Sequence, residues 1–294
     1  MLFILLAAAI GLALAAPLVS MGLLTTFWSE LLSGISVLVA TFIVTRFINH
    51  KPFTAIGLSL HPSTFREFGH GCLAGFLMVT GVFVVEFSLG YVGLEWRGLH
   101  LHGISWVILS STLIFAVGAF FEEVLFRGYF FQTLMQGVTL LPATLIVAAL
   151  FALAHARNPN VSTFGLINVA LAAIWLSFAY MKTRSLWLPC GLHFSWNFSQ
   201  TTLYSFPTSG IQFAEQRFFL LTQSGPEWLT GGAFGPEGGA LATLALVGGT
   251  WYVLKSRLSP PGGIITLDSV EDLLEPRTTT VDQVVQHGGN GQGT

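Results

Sequence analysis

Glu122 and Glu123 stand side by side in the run FEEVLFRG at 121–128, with Arg127 four residues after the second. Further along, LFALAH ends in His155, and GLHFSWNF carries His193 and Asn197 four residues apart. All six lie in apolar surroundings. A glutamate, two histidines and an asparagine around one wet cavity can hydrolyse an amide. Glu122 would take a proton from water as that water attacks a peptide carbonyl. His155 would hold the same water. His193 and Asn197, on one helix face, would donate hydrogen bonds to the developing oxyanion. The same set also suits Zn²⁺, with His155, His193 and Glu122 as ligands beside a water. Both forms of the chemistry, metal-free and zinc-dependent, remain open at this point. No HExxH occurs, which excludes the soluble zincin helix. A serine nucleophile is poorly supported, because Ser195 and His193 are two residues apart and point to different helix sides.

The cost of these charges makes them informative. Each charged residue at the centre of a membrane helix costs about 2.5–3.5 kcal/mol, while a Leu, Ile, Phe or Val returns only about 0.3–0.6. Three charges cost about 8–10 kcal/mol, and ten strongly apolar neighbours recover about half. The charges must therefore pair or line a wet cavity. Glu123 and Arg127 are i,i+4 neighbours with the acid on the favourable N-terminal side, so they are expected to neutralise each other. Glu122, rotated by about 100°, has no partner in its own helix. His61, His70, His100, His102 and His50 fall in loops or at segment ends and carry no such signal.

The elements that must position these residues are membrane helices. The 294-residue chain is 53% hydrophobic and only 9% charged, with a mean hydropathy of +0.71. Soluble domains carry about 25% charged residues, so a soluble fold of this size could not cover its surface. The 26 Phe and 8 Trp suit a lipid-facing surface with interfacial anchors. No basic run is present, so nucleic acid is not expected as a partner. Cys72 and Cys190 lie in apolar segments without metal-ligand spacing and read as small buried hydrophobes.

A hydrocarbon core of about 30 Å needs about 20 apolar residues as helix. Candidate spans run over about 2–22, 28–48, 70–92, 105–136 (over-long), 141–156, 161–181, 186–206 and 239–255. The expected fold class is all-α, a polytopic transmembrane bundle of roughly eight spans within residues 1–258. The first span lacks the basic start of a signal peptide and reads as a retained helix. Arg46, Lys51 and Arg66, then Lys182 and Arg184, then Lys255 and Arg257 fall on one face if spans alternate, which makes that face cytoplasmic. Residues 259–294 are polar and low in aromatics, and read as a mostly disordered cytoplasmic tail. SGPEWLTGG and FGPEGGA, between 224 and 240, read as a Gly-rich loop. A hairpin near Gly137–Pro142 would bring Glu122 and His155 to one level. His193, early in its span, would sit at another depth unless the fifth span tilts or the sixth does not cross fully.

EExxxR at 122–127, FxxxH at 151–155 and HxxxN at 193–197, in that order on apolar helices, resemble the CAAX protease and bacteriocin-processing family of intramembrane proteases, also called the Abi family. Its eukaryotic relatives are the type II CAAX prenyl proteases. FTAIGL at 53–58 resembles a Phe-x-x-x-Gly-Leu element that often precedes the family's core. The resemblance covers about residues 100–205. It implies an endopeptidase cutting in or near the bilayer, with Glu122, His155, His193 and Asn197 catalytic and Glu123 and Arg127 supporting them. It implies a membrane-embedded or lipid-anchored peptide substrate, and a multi-pass protein of a bacterial cytoplasmic membrane. The family has been described as metal-dependent and as metal-free. A non-catalytic immunity or scaffold protein on the same fold is the alternative. A proton-coupled carrier is disfavoured, since no second copy of the Glu-Glu-Arg or His-x-x-x-Asn pattern suggests an internal repeat.

Overall fold

The computed structural model describes residues 2–20, 26–256 and 258. The tail expected at 259–294, with Arg257, lies outside the described residues. Long helices dominate: α1 (Leu2–Ser20), α2 (Thr26–Ile43), α3 (Thr64–Ser88), α4 (Leu101–Glu123), α5 (Leu140–His155), α6 (Thr163–Thr183), α7 (Trp187–Phe198) and α8 (Ala240–Lys255). Each matches one expected segment. Four stretches are long and apolar enough to cross a membrane: Leu31–Ile48, Thr64–Ser88, Leu101–Leu134 and Thr163–Thr183. Helices α5 and α8 are apolar but shorter. With 16 residues, α5 rises only about 24 Å.

Large apolar side chains point outward, as on a surface solvated by lipid. Leu73, Leu77, Leu109, Leu113, Leu145, Leu244 and Trp251 are all more than half exposed. Polar groups such as Glu123, Arg127, Asn168 and Gln200 are buried. This arrangement, apolar without and polar within, is that of an integral membrane protein.

A small sheet departs from the all-α expectation. Strands β1 (Val92–Trp96) and β2 (Phe219–Gln223) pair antiparallel, with Leu94 opposite Leu221. The span expected to run to 92 stops at Ser88, because Gly90 turns the chain in the left-handed region (φ 73°) and the following residues extend. The strands are more than a hundred residues apart, so no hairpin signal joins them. The sheet is tied to the end of α7 by Phe218 N–H on the Thr202 carbonyl and Phe219 N–H on the Ser205 hydroxyl.

Two contacts set the position of α7. The first is a close crossing with α3. A Cβ on Gly71 would lie 2.5 Å from the Leu188 carbonyl oxygen, one on Gly75 2.6 Å from that of Leu192, and one on Gly191 2.3 Å from that of Phe68. Only glycine allows backbones so near, and membrane helices that gain nothing from hydrophobic exclusion gain from this packing. The second contact is the FTAIGL element. Its Gly57 adopts φ 100° and presents its carbonyl to Leu186 N–H at 2.9 Å, at the entry to α7. One residue earlier, the Ile56 carbonyl accepts from Gln132 Nε2 at 2.7 Å, on the continuation of α4. The main core lies between that continuation, α5 and α6, and includes Phe126, Phe131, Val147, Phe151 and Ala173.

Gly75→Ala is expected to destabilise the protein by about 1–3 kcal/mol through overpacking, whereas Gly81→Ala, whose Cβ would meet nothing within 4 Å, is expected to be neutral. Monodisperse yield and melting temperature in detergent check this pair. Equal behaviour of the two variants would remove the crossing as the device that places α7.

Candidate active site

Glu122 and Glu123 end α4. From Val124 to Phe131 the helix continues with π geometry before a last α turn at Gln132–Leu134. Helix α7 does the same after its own candidates, passing into a π segment at Ser199–Leu203. Wide turns of this kind re-aim side chains without ending a helix, and they recur at functional sites.

The expected Glu123–Arg127 pair is present. Arg127 Nη1 donates to Glu123 Oε1 at 2.9 Å, and both side chains are fully buried. Arg127 Nη2 also donates to the Ala173 carbonyl at 3.1 Å, and its guanidinium lies 4.9 Å from the centre of the Phe151 ring. The sequence did not reveal a third partner. His193 Nδ1 meets the same Glu123 Oε1 at 2.9 Å. A carboxylate only accepts, so Nδ1 carries the hydrogen. That leaves Nε2 of His193 facing Glu122 Oε2 at 3.8 Å. Glu122 is 38% exposed at its side chain, and Oε2 has no hydrogen-bond partner among the described residues. The two glutamates thus divide as the helix rotation between them suggests: one is buried and paired, the other stands at the edge of accessible space.

His155 ends α5. Its Nδ1 donates to the Phe151 carbonyl at 2.8 Å, which fixes the tautomer and leaves Nε2 as the free nitrogen. Phe151 connects the histidines: its ring centroid lies 4.7 Å from that of His155 and 6.3 Å from that of His193. Among the described residues, no direct bond joins His155 to Glu122 or to His193. The Phe151 ring, from the FxxxH pattern, thus lies between the two imidazoles. Asn197 is half-buried, one turn beyond His193, and its amide makes no hydrogen bond with the described residues. It is free to donate.

The donor types His155, His193 and Glu122 would suit zinc. Among the described residues, however, no three His, Cys, Asp or Glu side chains converge closely enough to hold a metal ion.

Two further carboxylates lie outside the three motifs. Glu86, in the apolar run of α3, is fully buried. An intramembrane acid of that kind is a signal that the same cost argument would have found. Glu237, in the Gly-rich loop before α8, accepts from the Trp196 indole at 3.2 Å and from the Ser209 hydroxyl and amide. Burial pushes its carboxyl above the usual carboxylate range, against the opposing pull of Ser209, His155 and Trp196.

Arg127→Ala would leave Glu123 buried and short of one charge partner, at a cost of about 3–5 kcal/mol. Glu122→Gln keeps shape on a partly exposed side chain. Arg127→Ala is therefore expected to lower folded yield in detergent much more than Glu122→Gln does. Equal losses would contradict the division between a supporting pair and a free carboxylate.

Residues 104–199 match the family model described as Type II CAAX prenyl endopeptidase Rce1-like. That segment holds all six residues. The chain is also 22% identical over 193 residues to an uncharacterised protein, YyaK, of Bacillus subtilis (strain 168). The match covers 64% of this chain and 64% of the Bacillus protein's own length. No solved structure matches. The EExxxR, FxxxH and HxxxN residues all fall within the segment that matches this family model, which supports a relationship to the CAAX protease and bacteriocin-processing family.

Proposed function

We propose that the chain is an intramembrane endopeptidase that hydrolyses peptide bonds of membrane-associated substrates, of CAAX or bacteriocin-like type, with a water activated by Glu122. The observation that carries this reading is the arrangement of Glu122, His193 and Glu123: an unpartnered carboxylate facing an imidazole whose far nitrogen is anchored on a second, buried carboxylate.

Water lies between Glu122 and the free Nε2 of His155. Glu122 takes one of its protons as the water oxygen bonds to the substrate carbonyl carbon. The carbonyl oxygen becomes an oxyanion and accepts from His193 Nε2–H and from the Asn197 amide. For His193 to donate at Nε2 while Nδ1–H stays on Glu123, it must be an imidazolium. Glu123 behind it and Glu122 before it supply the compensating charge, in the manner of a carboxylate that orients and stabilises a catalytic histidine. The C–N bond then breaks, and the proton held by Glu122 passes to the leaving amine. Donors aimed at a developing oxyanion in a dry site are often the main source of rate in acyl transfer.

In this reading all eight helices sit in the bilayer, with the Arg46/Lys51/Arg66 and Lys182/Arg184 end cytoplasmic, in a bacterial cytoplasmic membrane. The basic residues support that orientation.

With a cleavable membrane peptide, Glu122→Gln and His155→Ala are each expected to abolish turnover, because both groups touch the water. Asn197→Ala should cut the rate by about 10²–10³, the loss typical of one oxyanion donor, and leave measurable activity. A chelator should leave the rate unchanged. Chelator-sensitive turnover restored by added zinc would replace this mechanism with the metal-dependent one. Full cellular function of the Glu122→Gln protein would favour a scaffold role on the same fold.

A further inference from the structure

Glu237 lies in the short turn Pro236–Gly238, held from both sides. Its main-chain carbonyl and that of Gly239 accept from Asn168 Nδ2 at 2.8 and 2.9 Å, and Thr243 in turn donates to Asn168 Oδ1 at 2.7 Å. Asn168 is 1% exposed, so this anchor is internal. From that fixed turn the Glu237 carboxylate reaches in two directions. Oε1 takes the indole N–H of Trp196, the residue just before Asn197 and three after His193. Oε2 takes the amide and the hydroxyl of Ser209. The Ser209 carbonyl then accepts from Asn158 Nδ2 at 2.9 Å, and Asn158 N–H closes a turn onto the carbonyl of His155 at 3.0 Å.

The loops joined here leave no slack. A Cβ on Gly210 would lie 1.8 Å from the Pro159 carbonyl oxygen, and one on Gly235 2.2 Å from that of Pro207. Ser209 itself holds φ 47°, which a serine adopts only when its surroundings enforce it. His155 is close enough to act electrostatically on the Glu237 carboxylate. A clamp alone would not require an acid, since a shielded carboxylate costs desolvation that a neutral acceptor avoids. Three donors on two carboxylate oxygens are a set that no amide side chain can accept in full.

We propose that Glu237 is a positioning residue for the hydrolysis: one carboxylate that fixes His155, through Ser209 and Asn158, relative to Asn197, through Trp196. This rests on the hydrolytic reading above. It adds a residue from outside the three motifs and from a segment beyond the 104–199 family match.

The test compares the full-length wild-type chain with Glu237→Gln, Glu237→Asp and Trp196→Phe in lipid nanodiscs. The probe is an internally quenched peptide ending in a farnesylated CAAX-type sequence. Melting temperature and hydrogen exchange of segments 156–162 and 205–211 are measured on the same samples. Glu237→Gln is expected to lower kcat at least about tenfold with KM within about twofold, as for an interaction that acts in the transition state only. Its melting temperature should stay within a few degrees of wild type, and exchange should accelerate in both segments. Glu237→Asp should recover part of kcat, and Trp196→Phe, which removes one of three donors, should lose less than Glu237→Gln. Unchanged kcat in Glu237→Gln, or a fall that only tracks lost melting temperature, would overturn the proposal. If wild type does not cleave the peptide, the hydrolytic reading fails for this substrate class and exchange decides the positioning claim. Acceleration confined to the two segments supports it, and unchanged exchange overturns it.

Discussion

A single oxygen, Oε1 of Glu123, accepts from the fully buried Arg127 and from the largely buried His193, both at 2.9 Å. In a low-dielectric interior an uncompensated charge costs several kcal/mol, so the Arg127 guanidinium cannot be where it is without that acceptor. In the proposed mechanism, with Arg127 and His193 positive and the two glutamates negative, the cluster sums to zero, which is the condition under which four ionisable groups can share a bundle interior. The neutral sum also constrains chemistry. Glu122 can give up or receive a proton only against a fixed background set by the other three. In that reading the site is electrostatically prepared before any substrate arrives.

That cluster spans two helices far apart in sequence, so its geometry depends on how α7 is held. The glycine crossing with α3 brings α7 to backbone contact on one side. His193, two residues on from Gly191, points away from that contact and toward α4. The Gly57 turn fixes where α7 begins, and the adjacent Ile56 carbonyl holds Gln132 on the continuation of α4. A short peripheral element thereby sets both ends of the Glu123–His193 bond in register. Phe151 completes the frame by lying against the Arg127 guanidinium and both imidazoles.

Much of this was legible in the sequence because intramembrane polarity is expensive. A lone carboxylate, an i,i+4 ion pair and an i,i+4 His–Asn pair stand out against Leu and Phe, and helix positions follow from run lengths. The helix order and the Glu123–Arg127 bond are as expected. The Glu123–His193 bond was not legible, because spacing speaks only within one helix, and a group already paired once gives no sign of a second partner 70 residues away. The strand pair was hidden by the separation of its partners. Glu237 was hidden by its setting: an acid among glycines and prolines reads as loop. Its hydrogen bonds depend on where Ser209, Trp196 and Asn158 meet, which no local pattern encodes.

The brevity of α5 has a consequence of its own. At about 24 Å it falls short of a hydrocarbon layer of about 30 Å, and hydrophobic mismatch of that size costs a fraction of a kcal/mol per ångström. If α5 crosses the bilayer, as the proposed function has it, the bilayer must thin there or the following segment, with Arg157, Asn158 and Asn160, must sink. Either response carries polar groups and their hydration to the level of His155. The hydrolysis proposed above needs water as co-substrate at that level. In that reading the water supply is in part a matter of helix length: a short helix ending in His155 brings the polar segment after it, and the water around that segment, to the site.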